Sequence, residues 1–100
     1  MDSQVKKGIL ELLVLASLKY DDSYGYIINQ EISDVIDISE STLYPILRRL
    51  EQQNLVKTYE TTYNSRIRKY YQITKLGITK LKESETDFIE MKKVYDYILR

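Results

Sequence analysis

A segment near the start of the chain is apolar on nearly every side of the helix that it would form. Residues 4–19 carry large apolar side chains at Val5, Ile9, Leu10, Leu12, Leu13, Val14, Leu15 and Leu18. A helix of this kind is buried from more than one direction. Because a chain of 100 residues builds only a modest core, one side of this helix is predicted to join that core and another to meet a second subunit.

The composition excludes several kinds of site. The chain has no cysteine and no histidine, so disulfides, thiolate chemistry and imidazole bases or ligands are absent. No catalytic site, metal or cofactor is predicted, and the adjacent acids Asp21 and Asp22 are interpreted as solvated turn carboxylates. The longest apolar run, Leu12 to Ala16, is far shorter than the ~20 residues of a membrane span. With no signal-peptide pattern, a cytoplasmic protein without a membrane partner is expected.

Charge is unevenly distributed along a chain whose formal net charge is zero. Residues 1–40 carry three lysines and eight acidic residues, which gives −5. Residues 41–80 carry eight cationic and two acidic residues, which gives +6, and residues 81–100 carry −1. This asymmetry indicates one electropositive surface on an otherwise acidic molecule, and the alternative is a chance solvated patch.

Apolar spacing and capping residues predict four helices. The first covers about residues 4–19, and the second covers about residues 24–34 with Ser23 as its N-cap. The third begins after Ser39 and ends near Gln53, where Asn54 can adopt the left-handed conformation that ends helices. The fourth is capped by Thr74 and continues to about Leu99.

A β-hairpin is predicted between the third and fourth helices. The run "LVKTYETTY" is rich in β-branched and aromatic residues, and the polar break "NSR" separates it from "IRKYYQIT". In the second run, Ile67, Lys69, Tyr71 and Ile73 share one face, and Arg68 points to the other.

The third helix combines a buried stripe with an unusual outer face. Leu43, Ile46, Leu47 and Leu50 follow the i, i+3, i+4, i+7 spacing of a core-facing stripe. The opposite side carries groups that hydrogen-bond phosphates and base edges. Its centre line is Ser41, Pro45, Arg48 and Gln52, flanked by Thr42, Tyr44 and Arg49. Pro45 is expected to kink the helix, with its ring pointing outward and the stripe undisturbed.

Cations of the hairpin complete the predicted binding surface. Arg66, Arg68 and Lys69 cluster just after the hairpin tip, and Lys57 lies on the partner strand. A basic hairpin beside a helix with a polar outer face is the arrangement of a winged helix-turn-helix. The predicted fold is therefore mainly α (α+β), with a two-stranded β-wing. The alternative is a solvated helix face beside a charged hairpin.

The last helix carries a seam typical of helix association. Two interleaved seven-residue repeats form it, namely Leu81, Phe88 and Tyr95 together with Ser84, Met91 and Ile98. We expect residues 1–74 to form the DNA-binding domain and residues 75–100 to form a dimerisation helix that packs with the partner's first helix. The alternative is that the seam packs on the first helix of the same chain.

The chain resembles the PadR family of bacterial transcriptional regulators. The resemblance covers roughly residues 5–82 and lies in "YGYIINQEI", "STLYPILRRLEQQNLV", "RIRKYYQIT" and the following Leu76 and Gly77. It implies a winged-helix homodimer that represses transcription by occupying a DNA operator. Its implied DNA contacts are Ser41, Thr42, Tyr44 and Arg48 on the recognition helix, Arg66, Arg68 and Lys69 on the wing, and Tyr24 near a phosphate. Family wings often carry a glycine pair where this chain has Asn64 and Ser65.

The resemblance also raises a small-molecule effector. In some small family members, an aromatic side chain of the last helix lines a pore at the dimer centre and stacks on planar drugs. Phe88 falls near that position, and Phe88 and Met91 with apolar positions of the first helix could line an apolar cavity. The alternative is that Phe88 packs solidly against its symmetry mate.

The leading functional hypothesis is a sequence-specific repressor that binds a pseudo-palindromic double-stranded operator as a homodimer and is relieved by a small apolar or planar ligand. The alternative is a winged-helix module that docks on an acidic partner protein without reading DNA, because a fold alone does not determine function. An enzyme is not expected.

Overall fold

Four helices and a small antiparallel sheet make up the chain, of which the computed structural model describes residues 1–100. The helices are α1 (Ser3–Ser17), α2 (Gly25–Ser33), α3 (Glu40–Gln52) and α4 (Lys75–Ile98). The strands are β1 (Ser23–Tyr24), β2 (Val56–Tyr63) and β3 (Arg66–Ile73). This architecture confirms the predicted winged-helix fold and adds one strand to it. In no helix do length and apolar character together suffice to cross a membrane.

Polar side chains mark the beginnings of the helices. Thr74 caps α4 as predicted, because its hydroxyl oxygen accepts a hydrogen bond from the N–H of Gly77 at 3.1 Å. Ser39 is the N-cap of α3, also as predicted, but its hydroxyl bonds the hydroxyls of Ser41 and Thr42 instead of the backbone. The prediction that Ser23 caps α2 is wrong, because Ser23 belongs to β1 and the next residue takes the cap position.

The sheet has three strands in the order β1-β3-β2. Ser23 pairs with Tyr71 and Tyr24 with Tyr70, so β1 joins the start of α2 to the central strand. The predicted two-stranded wing is confirmed as β2 and β3, and β1 is a third strand of the sheet that was not predicted. Two residues are too few for the alternation of apolar and polar side chains that identifies a strand in a sequence.

Residues with positive φ close the wing and end α3. Asn64 and Ser65 form the two-residue tip between β2 and β3, with φ angles of 48° and 63°. Positive φ at both positions is typical of a type I′ turn, whose twist matches that of the flanking strands. Asn54 has a φ of 60°, which confirms its predicted left-handed conformation after α3.

The core lies between α1, α2, α3 and one face of the sheet. Its buried residues are Leu10, Val14, Leu15, Leu18, Ile28, Ile32, Leu43, Ile46, Leu47, Leu50, Leu55, Val56 and Tyr71. All four members of the predicted α3 stripe are among them. On α1, Ile9, Leu12 and Leu13 stay partly exposed and Val5 is exposed, so a second apolar side of this helix is only partly covered within the single chain.

The last helix extends well beyond the core. The molecule measures 53 × 27 × 22 Å, and Gly77 is the one buried residue of α4. Leu81 packs partly buried against the core. The remaining apolar seam residues, Phe88, Met91, Tyr95 and Ile98, are between 43% and 66% exposed. A single chain therefore leaves most of the predicted seam uncovered.

Candidate nucleic-acid interface

One side of α3 forms an exposed polar surface, which we call the reading face. Its members are exposed and lie opposite the buried stripe: Ser41, Thr42, Tyr44, Pro45, Arg48 and Gln52. The helix runs without a break through Pro45. Arg48 takes part in no ion pair, so its guanidinium donors are available to a ligand.

Tyr44 connects the reading face to the start of α2. Its ring lies so close to Gly25 that a Cβ there would be 2.7 Å from the Tyr44 hydroxyl oxygen. Tyr24, the N-cap of α2, provides no side-chain hydrogen bond to the first turn. The first turn of α2 therefore has no side-chain acceptor from its N-cap, and it lies beside Tyr44.

Arg49 is held by α1. Its Nε lies 3.0 Å from Oε1 of Glu11, and both side chains are largely shielded from solvent. The N–H does not point at the carboxylate oxygen, so the contact is an ion pair without a good hydrogen bond. This pair joins α1 to α3, and it pairs the charge of Arg49 with a carboxylate of the chain itself.

Glu51 joins α3 to the inner face of the sheet, which is the face that packs on the core. Lys69 Nζ lies 3.4 Å from Oε1 of Glu51, and the hydroxyl of Thr58 donates a hydrogen bond to Oε2 at 2.9 Å. Burial is the main cause that raises the pKa of Tyr71, which lies on the same inner face. The predicted wing cations are therefore divided, because Lys69 lies on the inner face and Arg68 on the opposite, outer face.

Aromatic side chains cover the outer face of the sheet. The rings of Tyr24 and Tyr70 are 5.4 Å apart, and those of Tyr59 and Tyr70 are stacked at 5.6 Å. The hydroxyl of Tyr59 donates a 2.6 Å hydrogen bond to Asp22, which is the main cause that raises the pKa of Tyr59. Arg68 lies against this aromatic layer, and Arg66 is exposed at the wing tip.

Two lysines of α1, which were not among the predicted DNA contacts, flank the reading face. Lys6 and Lys7 line a cleft of about 590 Å³ together with Thr42, Pro45 and Arg49 of α3. Neither lysine takes part in an ion pair. Their position could not be predicted from the sequence, because both lie in its acidic part. Only the packing of α1 on α3 brings them beside the reading face.

A second, more apolar cleft lies between α1 and α4. It has a volume of about 250 Å³. The apolar side chains that line it are Ile9, Leu12, Leu13, Ala16, Leu81 and Phe88. Phe88 lines this cleft within one chain, whereas Met91 lies outside it, and the predicted pocket at the dimer centre stays a prediction.

Comparison with known proteins identifies the group to which this arrangement belongs. The sequence pattern of the transcriptional regulator PadR-like family matches residues 14–83. The chain belongs to the PadR family. Its members are transcriptional regulators and not enzymes, so this chain is a DNA-binding regulator without a predicted catalytic role.

Solved structures of similar proteins agree with this PadR assignment. A transcriptional regulator from Clostridium thermocellum is 33% identical and has a TM-score of 0.82 over 100% of this chain and 99% of its own. A PadR-family regulator from Clostridium difficile R20291 is 30% identical, with a TM-score of 0.83 over 91% and 98% of the two chains. The protein smu.1704 from Streptococcus mutans UA159 is 40% identical, with a TM-score of 0.83 over 90% and 85%.

Proposed function

We propose that this PadR-family chain is a homodimeric repressor that occupies a pseudo-palindromic DNA operator. The observation that carries the proposal is the division of α3 into a fully buried stripe and an exposed reading face that bears Arg48 with its donors free. A helix held from behind in this way can enter a major groove without losing its packing.

The reading face supplies the chemistry for base recognition. Arg48 can donate two hydrogen bonds to the O6 and N7 atoms of a guanine. The hydroxyls of Ser41 and Thr42 can bond base edges or phosphates, and the outward ring of Pro45 can lie against a thymine methyl. We therefore assign sequence selection to these residues.

Cations on both sides of the reading face are assigned to the DNA backbone. Arg66 and Arg68 lie on the wing, and Lys6 and Lys7 lie on α1, so four cations without ion-pair partners flank α3 in each subunit. Arg49 and Lys69 were predicted to bind DNA as well. Because each is paired with a glutamate on the chain itself, we leave them out of the proposed phosphate contacts.

The proposed dimer uses the apolar surfaces that the single chain leaves uncovered. The seam of α4 and the second apolar side of α1 leave several large apolar side chains exposed in the single chain, and grouped exposure of this kind is typical of an association surface. Packing α4 on the partner's α1 covers both. It also presents two reading faces to half-sites about one helical turn apart.

A small apolar or planar molecule is the proposed effector. The cleft between α1 and α4 is lined mainly by apolar side chains, and Phe88 offers a ring for stacking. Because the same helices form the proposed dimer, a ligand seated there would change the distance between the two reading faces.

A mobility-shift experiment tests the main proposal. The purified chain is mixed with the DNA upstream of its own reading frame and, as a control, with a scrambled duplex of the same length and composition. Preferential retardation of the upstream DNA supports a sequence-specific regulator. Equal and weak retardation of both duplexes, with tight binding to an acidic protein partner instead, would favour the alternative of a protein-docking module.

A further inference from the structure

Arg68 has surroundings that no other cation of the chain shares. The carbon at the centre of its guanidinium lies 4.6 Å from the ring centre of Tyr24 and 4.5 Å from that of Tyr63. Tyr24 belongs to β1 and Tyr63 to β2, and these strands flank β3 on opposite sides. The guanidinium is therefore held between two rings.

These ring contacts leave the hydrogen-bonding capacity of Arg68 unused. A guanidinium carries five N–H donors in its own plane, and stacking on an aromatic ring occupies its face and not its edge. Arg68 takes part in none of the ion pairs of the chain. It is thus a cation whose position is restrained while its donors stay free.

The two rings are restrained to different degrees. Tyr24 is partly buried, packs against Tyr70 and directly precedes Gly25, on which Tyr44 of the reading face rests. Tyr63 is 56% exposed at the end of β2. A continuous set of contacts therefore runs from the reading face through Tyr24 to Arg68.

We propose that Tyr24 and Tyr63 are positioning residues, whose rings hold the Arg68 guanidinium ready for a phosphate of the DNA backbone. The inference deepens the proposed DNA-binding function and rests on it. A restrained side chain loses less conformational freedom when it binds, so the ring contacts strengthen the phosphate contact. The tyrosine hydroxyls are not required, and in this respect the proposal differs from a direct contact between Tyr24 and a phosphate.

The test is a double-mutant cycle on binding to a short mixed-sequence duplex at low salt, which needs no knowledge of the operator. Tyr24→Leu and Tyr63→Leu are each expected to raise the Kd by about three- to tenfold, whereas Tyr24→Phe and Tyr63→Phe leave it unchanged. In an Arg68→Met background, the Tyr24→Leu change has no further effect, because the cation that it positions is gone.

The matched control is Tyr20→Leu, because Tyr20 is 85% exposed and its ring contacts only Lys19 among the cations. This change should leave the Kd as it is. Thermal unfolding of every variant distinguishes a loss of binding from a loss of folding. If Tyr24→Leu unfolds, Tyr63→Leu, at the exposed end of β2, replaces it in the test.

Two results would overturn the inference. One is an equal loss of affinity in Tyr24→Phe and Tyr24→Leu, which would show that the hydroxyl itself binds. The other is an undiminished effect of Tyr24→Leu in the Arg68→Met background. Failure of the unsubstituted chain to bind any duplex would instead count against the proposed function.

Discussion

At the scale of single residues, the close approach of Gly77 to Leu55, in the loop after α3, fixes where α4 begins. A Cβ at Gly77 would overlap the backbone carbonyl oxygen of Leu55 and lie 2.7 Å from a side-chain carbon of Ile73. Thr74, which caps α4, also donates a hydrogen bond from its hydroxyl to the carbonyl of Asn54 at 2.7 Å. The two contacts fix the N-terminal end of α4 against the wing and the loop after α3.

We therefore expect Gly77→Ala to lower the free energy of unfolding by about 1–3 kcal/mol, because a backbone carbonyl cannot move aside as a side chain can. Urea unfolding followed by circular dichroism measures this. The control is Gly8→Ala, since a Cβ at Gly8 meets nothing within 4 Å. There the alanine should keep the stability or raise it by up to about 1 kcal/mol. A Gly77→Ala chain as stable as the unsubstituted one would contradict the close contact.

Tyr59 gives a residue-scale prediction for pH. Its hydrogen bond to Asp22 raises its pKa above the ordinary value of 10.0, so the folded chain holds the phenolic proton more tightly than the unfolded chain does. The resulting stabilisation is present below pH 10 and is lost as the pH rises through the folded pKa.

Subtracting the tyrosinate absorbance of Tyr59→Phe from that of the unsubstituted chain isolates the ionisation of Tyr59. This ionisation should occur at a higher pH than that of a free tyrosine. Tyr71, whose pKa is also raised, cancels in this difference. An Asp22→Ala change should return the Tyr59 transition toward its ordinary position. A transition that does not move in Asp22→Ala would show that the hydrogen bond is not the cause.

At the scale of secondary-structure elements, α3 combines a proline with an intact helix. Pro45 has no N–H to donate to the carbonyl of Ser41, so the helix lacks one internal hydrogen bond in the middle of its length. The proline ring lies on the exposed side, and the buried stripe is unaffected. The helix is therefore locally less stable at Pro45, which lies on the reading face that we propose to bind DNA.

Pro45→Ala should make the chain more stable by about 1–3 kcal/mol, since alanine restores the missing donor and has a higher helix propensity. The same variant should bind the operator more weakly, because the ring no longer contacts the groove. Thermal unfolding and mobility shift on one preparation measure both. If Pro45→Ala left the affinity for the operator unchanged, the Pro45 ring would not be part of the DNA contact.

Element by element, local sequence signals were sufficient for much of the fold. The stripe of α3, the caps at Ser39 and Thr74 and the left-handed Asn54 each depend on neighbours in sequence, and all were predicted. The strand β1 was missed because it exists only through pairing with β3.

The same limit applies to the candidate site. The pairing of Arg49 with Glu11 and the position of Arg68 between two rings depend on residues that only the tertiary fold brings together. The sequence therefore predicted which residues carry charge near the binding surface. It did not predict which of those charges are free.

At the scale of the whole molecule, the proposed dimer depends on a seam that the single chain leaves largely uncovered. Phe88→Glu places a charge in the middle of this seam and should convert the dimer to a monomer, because burying an unpaired carboxylate is unfavourable. Sedimentation analysis measures the change in mass, and circular dichroism should show that the helices persist.

The matched control is Tyr97→Glu. Tyr97 lies nine positions along α4 from Phe88 and thus on the opposite side of the helix. It is 63% exposed and stacks only on Arg100. This variant should stay dimeric. If Phe88→Glu stayed dimeric as well, the association would have to use another surface.

The salt dependence of DNA binding reports on the whole interface. Four free cations per subunit give eight in the dimer, so log K should fall with log salt with a slope of about −7. The double change Lys6→Ala and Lys7→Ala should make the slope shallower by about 3 to 4, because it removes four of these contacts. Lys19→Ala, just beyond the C-terminal end of α1 and outside the cleft that Lys6 and Lys7 line, serves as the control. An unchanged slope of log K against log salt in the double variant would show that Lys6 and Lys7 of α1 do not contact DNA phosphates.

The two ion pairs of α3 have a consequence for how such a regulator acquires new targets. Glu11 with Arg49 and Glu51 with Lys69 join the helix to α1 and the wing, and neither pair uses Ser41, Thr42, Pro45 or Arg48, the positions to which we assign sequence selection. The buried stripe and these ion pairs hold the helix from its other sides. Mutation can therefore change the four selecting positions while those contacts stay in place, so a promoter preference can drift or be redesigned on an unaltered fold.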